Sequence, residues 1–563
     1  MSAPAEPSSP KSFLRHARLI SAFTLASRLL GLVREMVAGH YLGTGLVASA
    51  FTVAFTIPNL FRKLLGEGAL SQAFIPLYAQ AIQRGETEAG EEPAAFASAS
   101  VKLLAKILLG ITIVGEAVLA ALIYTADSAR PDRLLMLQFA AVMLPYVMLV
   151  CGGALLAAIL QVQKRFGPPA FAPVILNALH IVVVIGGAAM LHLQGDDPAT
   201  AETLAAQTKL AFLLAGAVLL AGVLQVAVLW PALRSIGFQM RWRARNWTPD
   251  TRTMLRMSIP VAVGAAVLQL SVLADKAISY GFMQGQAVDG TLITHFTAFG
   301  SVVAYPLEIG AVRRLDLAQL MYQFPLGVFA IALATALFPA LSAGAADPQR
   351  EQFKVICRQG VETALWEGLP ASVGLILVAG PAVRLMFQHG QITAHDASLI
   401  AYSTMFYAGG IWAYSLLQII NRAYYALRDT RTPLYASAAN LVLNLVIELP
   451  LIWVMGEAGM AVGTLVSFSL QAILMLYLLD RRVGGIGFGV SAKRIGKIVL
   501  ATGVMTLICL VVRFSPIYPT GETRWIWAAQ LTLITVVGGV TYLLACRLLG
   551  ANLPRTKRAA VKA

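Results

Sequence analysis

Stretches of about twenty apolar residues follow one another from Leu19 to Leu549, and this repetition leaves the chain few folds to adopt. Each stretch is long enough to cross a hydrocarbon core about 30 Å thick as a helix, which satisfies every backbone polar group within one segment. They fall near residues 19–42, 46–80, 99–125, 134–162, 170–191, 207–233, 254–283, 316–342, 355–380, 397–424, 433–455, 459–480, 494–513 and 525–549. The pattern predicts an all-α polytopic membrane protein with about fourteen transmembrane helices. Nothing in it resembles the short alternating strands of an outer-membrane barrel. Charge content agrees: 13% of the 563 residues are Asp, Glu, Lys or Arg, against about 25% in a soluble domain.

An even number of spans puts both termini on one side, and the basic residues choose which. The richest loop, 234–256, holds Arg241, Arg243, Arg245 and Arg252, and the tail adds Arg555, Lys557, Arg558 and Lys562. The opposite loops hold little beyond Arg130, Arg133, Arg313, Arg314, Arg384, Arg513 and Arg524. The positive-inside bias therefore places the N- and C-termini in the cytoplasm. The net charge of +15 follows from topology and contact with anionic lipid, so no nucleic-acid partner is expected. Residues 1–18 open on a Pro/Ser-rich run expected to be disordered, and no small-residue cleavage site follows, so the first span is expected to remain as an anchor. The division expected from the spans is a lobe at 19–233, a basic cytoplasmic linker at 234–253, a second six-helix lobe at 254–480, a helix pair at 494–549 and a basic tail at 550–563. Cys151, Cys357, Cys509 and Cys546 are scattered in apolar segments without metal-ligand spacing and read as small hydrophobes.

The first span carries Arg28 and Arg34. An ionised arginine near the bilayer centre costs roughly 2.5–3.5 kcal/mol on insertion scales, so it persists where it faces protein or water. At about 100° per residue, Thr24, Ser27, Arg28, Gly31, Arg34 and Glu35 share an arc of roughly 120°, and Leu25, Leu29, Leu32 and Val33 lie outside it. Glu35 is the natural salt-bridge partner if the role is structural. In the second span Thr52, Thr56, Asn59, Lys63 and Glu67 form one stripe, flanked by Arg62, provided the helix runs on through Pro58. The bland alternative is that Arg62, Lys63 and Glu67 mark the cytoplasmic end of the span.

Arginines converging from adjacent helices suit a phosphate-type anion, because guanidinium donors fit phosphate oxygens bidentately. The chain has no GxxxxGK[ST] phosphate loop, no evident catalytic triad and no metal cluster, which argues against an ATP-driven pump and against an enzyme; no cofactor is expected. Gln269, Asp275 and Lys276 interrupt the seventh span. Asn440 and Asn444, one turn apart in the eleventh, and Thr464 in the twelfth offer oxygen ligands to a sodium ion, or ordinary interhelical hydrogen bonds. Glu362, Glu367 and Glu448 have no role in this reading beyond helix ends.

These residues also carry a resemblance. SRLLGLVRE (Ser27 to Glu35), AFTVAFTIPNLFRKLLGEGALSQAFIPLY (Ala50 to Tyr78), RFGPPAFAPVILN (Arg165 to Asn177), QFPLGVFAIALATALFPALS (Gln323 to Ser342) and YYALRDTRTP (Tyr424 to Pro433) closely resemble the lipid II flippases, the MurJ (MviN) family of the multidrug/oligosaccharidyl-lipid/polysaccharide (MOP) exporter superfamily. The resemblance implies two six-helix lobes around a central cavity and a C-terminal helix pair forming a groove for a polyprenyl tail. It implies a location in the bacterial cytoplasmic (inner) membrane and a role in peptidoglycan biosynthesis. Its partners would be lipid II, the undecaprenyl-pyrophosphate-linked disaccharide pentapeptide, and membrane lipids. By position, Arg28, Arg34 and Arg62 match the family's cavity arginines and Glu67 its glutamate. Ser27, Glu35, Asn59 and Lys63 complete the candidate substrate set. A sodium site would map to Asp275, Asn440, Asn444 and Thr464, with sodium or proton coupling left open.

The chain departs from the family where an aspartate is usual at Ser49 and an arginine at Leu320, for which Arg313 or Arg314 is the nearest substitute. Alternatives are a flippase for another polyprenyl-linked oligosaccharide, an ion-coupled drug exporter of the same superfamily, and a non-transporting scaffold.

Overall fold

The computed structural model describes residues 10–87, 93–126, 130–195, 200–243, 247–287, 290–328, 330–347 and 349–552. Contacts divide the chain into two compact units, residues 1–305 and 306–563. The first holds α1 (Pro10–Leu42), α2 (Leu46–Phe61), a π-helical segment (Arg62–Ala69), α3 (Leu70–Thr87), α4 (Pro93–Tyr124), α5 (Pro131–Met143), α6 (Tyr146–Val162), α7 (Gly167–Met190), α8 (Ala201–Ser235) and α9 (Pro249–Gly281). Four short strands follow: β1 (Gly285–Gln286), β2 (Leu292–Ile293), β3 (His295–Ala298) and β4 (Ser301–Ala304). The second unit holds α10 (Ala311–Val328), α11 (Ala330–Ala345), α12 (Glu351–Phe387), α13 (Ala394–Gly409), α14 (Ile411–Ala426), α15 (Arg431–Met455), α16 (Glu457–Arg482), α17 (Phe488–Arg513) and α18 (Arg524–Leu549).

Among the described residues, eleven helical stretches are long and apolar enough to cross a membrane. With α1, the α2–α3 rod and the α13–α14 pair, which carry more charge or a break at Gly410, the membrane-length rods match the sequence expectation. Large apolar side chains stand outward, as lipid-facing surfaces require: Ile113 and Val114 on α4, Leu507 and Val511 on α17, Leu543 and Leu544 on α18.

Three departures have local causes. Helix α1 begins at Pro10, so residues 10–18, expected without structure, extend the first span; Pro at the first helical position supplies a preset φ and lacks only an N–H that has no intrahelical acceptor. The contact boundary falls at Tyr305, after α9, because α9 packs on α2, the π segment, α3 and α4. The loop before α10 forms two antiparallel hairpins, β1–β2 and β3–β4. The second turns at Phe299 and Gly300, φ +49° and +78°, the left-handed pair that a tight two-residue hairpin turn needs. Its root is pinned by Arg130, buried with Asp132 at 3.0 Å and donating to the Tyr305 hydroxyl at 2.9 Å.

In the second unit α15 and α16 approach closely through Gly459 and Gly463, a small-xxx-small spacing that lets membrane helices touch backbones. A Cβ at Gly459 would lie 2.4 Å from the Leu451 carbonyl oxygen, and one at Gly463 2.9 Å from the Glu448 Cβ. Gly459→Val is therefore expected to lose about 2–3 kcal/mol through overpacking against a backbone that cannot yield. Thermal unfolding in detergent reads this as a lower midpoint, and an unchanged midpoint would contradict the packing.

The Tyr424–Pro433 stretch is a structural corner. Asp429 accepts from the amides of Arg431 and Thr432 at 3.0 Å each, capping α15, and pairs with Arg482 of α16. Burial pushes its carboxyl upward, but the Thr432 and Arg431 hydrogen bonds and the Arg482 charge together hold it below the usual range. The C-terminal pair α17–α18 docks on α12: Glu362 accepts from Ser491 at 2.6 Å and pairs with Arg494 at 3.2 Å, and the Tyr542 hydroxyl donates to the Trp366 carbonyl at 2.7 Å. Glu362 is thus mid-helix and engaged, not an end-of-helix residue.

Candidate functional site

Helix α1 runs parallel to α7 in a clear register. Phe23 meets Phe171 with ring centroids 5.5 Å apart. One turn on, the Asn177 amide donates to the Ser27 carbonyl at 2.9 Å and hydroxyl at 3.3 Å, with Gly31 beside that amide. Next come Arg34 and Glu35, the charges nearest His180. Beyond them Val37, Tyr41 and Leu42 pack with Val184, Ala188 and Leu193.

The predicted polar arc is therefore two surfaces. Ser27, Gly31 and the Arg34–Glu35 pair belong to the α7 side. Thr24 and Arg28 are exposed, and Arg28 makes no hydrogen bond or ion pair among the described residues. Leu25, Leu29 and Val33, on the other side of the helix, are exposed as expected for a lipid-facing stripe. Arg34 is ion-paired with Glu35, its Nε donating at 3.1 Å, with side chains 21% and 15% accessible.

On α2 the polar stripe also forms. Thr52 is buried and accepts at its carbonyl from the Thr56 hydroxyl at 2.8 Å, and the helix continues through Pro58. Asn59 Oδ1 accepts from Arg62 Nε and Nη2 at 3.0 and 2.9 Å, aiming the guanidinium. Phe55 lies near His180, ring centroids 6.1 Å apart. Lys63 is exposed, and the Glu67 side chain lies outside the described residues. The π segment that begins at Arg62 is a geometry concentrated at functional sites.

The proposed ion ligands divide between the units. Asp275 is half-buried on α9 in the first. In the second, Asn440, Asn444 and Thr464 are buried between α15 and α16. Asn444 donates to Glu448 at 3.1 Å and accepts from Ser467 at 3.3 Å, the Thr464 hydroxyl donates to the Met460 carbonyl at 3.0 Å, and Asn440 Oδ1 has no hydrogen-bond partner among the described residues. Glu448, fully buried, is thus the carboxylate of this cluster and not a helix-end residue. Neither arginine near Leu320 replaces the missing cation. Arg314 is buried against Glu457 (Nε, 2.7 Å) and Asp396 (2.9 Å), and Arg313 is buried beside Asp316 at 3.9 Å. Ser49, where a carboxylate was expected, is buried and donates to the Thr44 carbonyl at 3.1 Å, closing the α1–α2 turn. Sequence reasoning missed Asn177 and His180; their i, i+3 spacing in an otherwise apolar span was the available sign.

The membrane-length helices make this a polytopic helical protein, and solved structures share its fold. The solved structure of "Lipid II flippase MurJ, inward closed conformation" aligns over 94% of this chain and 99% of its own, with TM-score 0.71 at 21% identity. An inward-facing multidrug resistance MATE transporter of the MOP superfamily aligns over 82% and 95%, with TM-score 0.60 at 16% identity. The family described as "Lipid II flippase MurJ" matches residues 38–526. A relative from Rhizobium tropici, "Probable lipid II flippase MurJ", is 28% identical over 540 residues, 94% of this chain and 93% of that protein. The chain belongs to the MurJ family of lipid II flippases.

Proposed function

We propose that the protein carries lipid II from the inner to the outer leaflet of the bacterial cytoplasmic membrane by alternating access, with both termini in the cytoplasm. The observation that carries this reading is the surplus of cations along Ser27–Glu35 of α1 and at the start of the π segment. Arg28, Arg34, Arg62 and Lys63 are accompanied by one described carboxylate, Glu35. A pyrophosphate satisfies such a set, taking bidentate contacts from more than one guanidinium while the polyprenyl tail stays in lipid. A cationic drug is disfavoured by the same charges. Transport requires the anion to bind more tightly in the inward state than in the outward one, since equal affinity shifts nothing. The π segment beginning at Arg62 is a suitable place for that difference, because its backbone has an alternative α-helical register.

We assign ion coupling, by sodium or a proton, to the oxygen cluster of Asn440, Asn444 and Thr464, with Glu448 supplying its carboxylate. The test is leaflet exchange of fluorescent lipid II in proteoliposomes, run in sodium and in choline. Protein-dependent exchange that Arg28→Ala and Arg34→Ala remove is expected. Exchange equal to that of empty liposomes would overturn the reading, and equal rates in the two salts would leave a proton as the coupling ion.

A further inference from the structure

The residue left over from this reading is His180. It sits on α7 one turn beyond Asn177 and is 4% exposed, and its Nε2 has no hydrogen-bond partner among the described residues. Its ring lies near Phe55 of α2, and the charges that act on it are Arg34 and Glu35 of α1, the helix packed along α7. Helices α6 and α8 also pack on α7, and among the described residues no charge of theirs acts on it. An unpaired buried polar nitrogen is costly, and native structures keep one where another state uses it.

The neighbouring ion pair supplies that state. Glu35 occupies the Nε/Nη2 edge of the Arg34 guanidinium, the edge that presents a bidentate fork to an incoming phosphate. Carboxylate and phosphate are both acceptors and both negative, so the two cannot share Arg34 without repulsion. Displaced, Glu35 remains a mostly buried carboxylate beside an imidazole with an open nitrogen. We propose that His180 is the proton-binding partner of Glu35 in the anion-bound state, so that pyrophosphate arrival at Arg34 moves Glu35 onto a protonated His180 and takes up one proton. The proton comes from water, the Nε2 lone pair accepts it, and the charge brought by the anion is partly balanced at the site. His180 acts through Glu35 and is a positioning residue. The inference rests on the reading that a lipid pyrophosphate binds Arg34.

Calorimetric titration of the full-length protein in nanodiscs with undecaprenyl pyrophosphate, in two buffers of different ionisation enthalpy, tests both levels. Wild type is expected to take up about one proton, with affinity weakening up to tenfold per pH unit above neutrality. His180→Asn and Glu35→Gln are each expected to bind the lipid but to lose most of that uptake and flatten the pH profile. The difference from wild type removes the ligand's own titration. His180→Gln is the second variant should His180→Asn not fold. Wild-type uptake and pH slope in either His180 variant, or in Glu35→Gln, would overturn the proposal and leave lipid binding intact. Failure of wild type to bind, or binding untouched by Arg34→Ala, would instead remove the reading beneath it.

Discussion

Arg34→Ala is expected to abolish growth of a flippase-depleted strain while leaving the amount of membrane-inserted protein unchanged. The side chain is a fifth accessible and, among the described residues, its partner is the adjacent Glu35, so the fold depends little on it. On the proposed reading its contribution falls on the bound anion. Removing one member of a desolvated, hydrogen-bonded charge pair costs roughly 2–5 kcal/mol, about 30- to several-thousand-fold in affinity. Arg34→Lys keeps a point charge but loses the planar fork, and intermediate growth is expected. Full growth of Arg34→Ala at wild-type protein levels would remove the pyrophosphate site.

Arg314→Leu is expected to fail in the opposite way, with little folded protein recovered from the membrane. Arg314 is 3% accessible and holds Glu457, Asp396 and the Ile309 carbonyl together where α10, α13 and α16 meet. Deleting it leaves two buried carboxylates without their cation, a loss of about 3–5 kcal/mol. Combining it with Glu457→Gln should restore part of the yield, because the two changes act on one network. Detergent-extracted monomer yield and thermal midpoint measure both effects. A well-folded but inactive Arg314→Leu would mean that this arginine serves transport after all.

The contrast between these arginines shows what a single chain discloses. Span positions were legible because apolar length and helical period repeat along it. The α1 arc was also legible, since angular position depends only on residue number. That half the arc is covered by α7 was not, because Asn177 meets Ser27 across 150 residues. Arg314 looked like a spare cation for Leu320 because its carboxylates lie 82 and 143 residues away. Glu448 and Glu362 were opaque for the same reason: a buried charge is explained by its neighbours, and α16 and α17 supply them only after folding. The β hairpins went unread in a chain otherwise dominated by helical periods.

The adjacency of Glu35 to Arg34 bears on discrimination among small ions. A tethered carboxylate competes at an effective concentration of order millimolar or above. On the proposed reading, an anion that offers a single charge to Arg34 alone competes with this resident carboxylate, whereas a diphosphate that engages a second guanidinium gains a further contact. The carboxylate would then act as a filter for multivalent ligands.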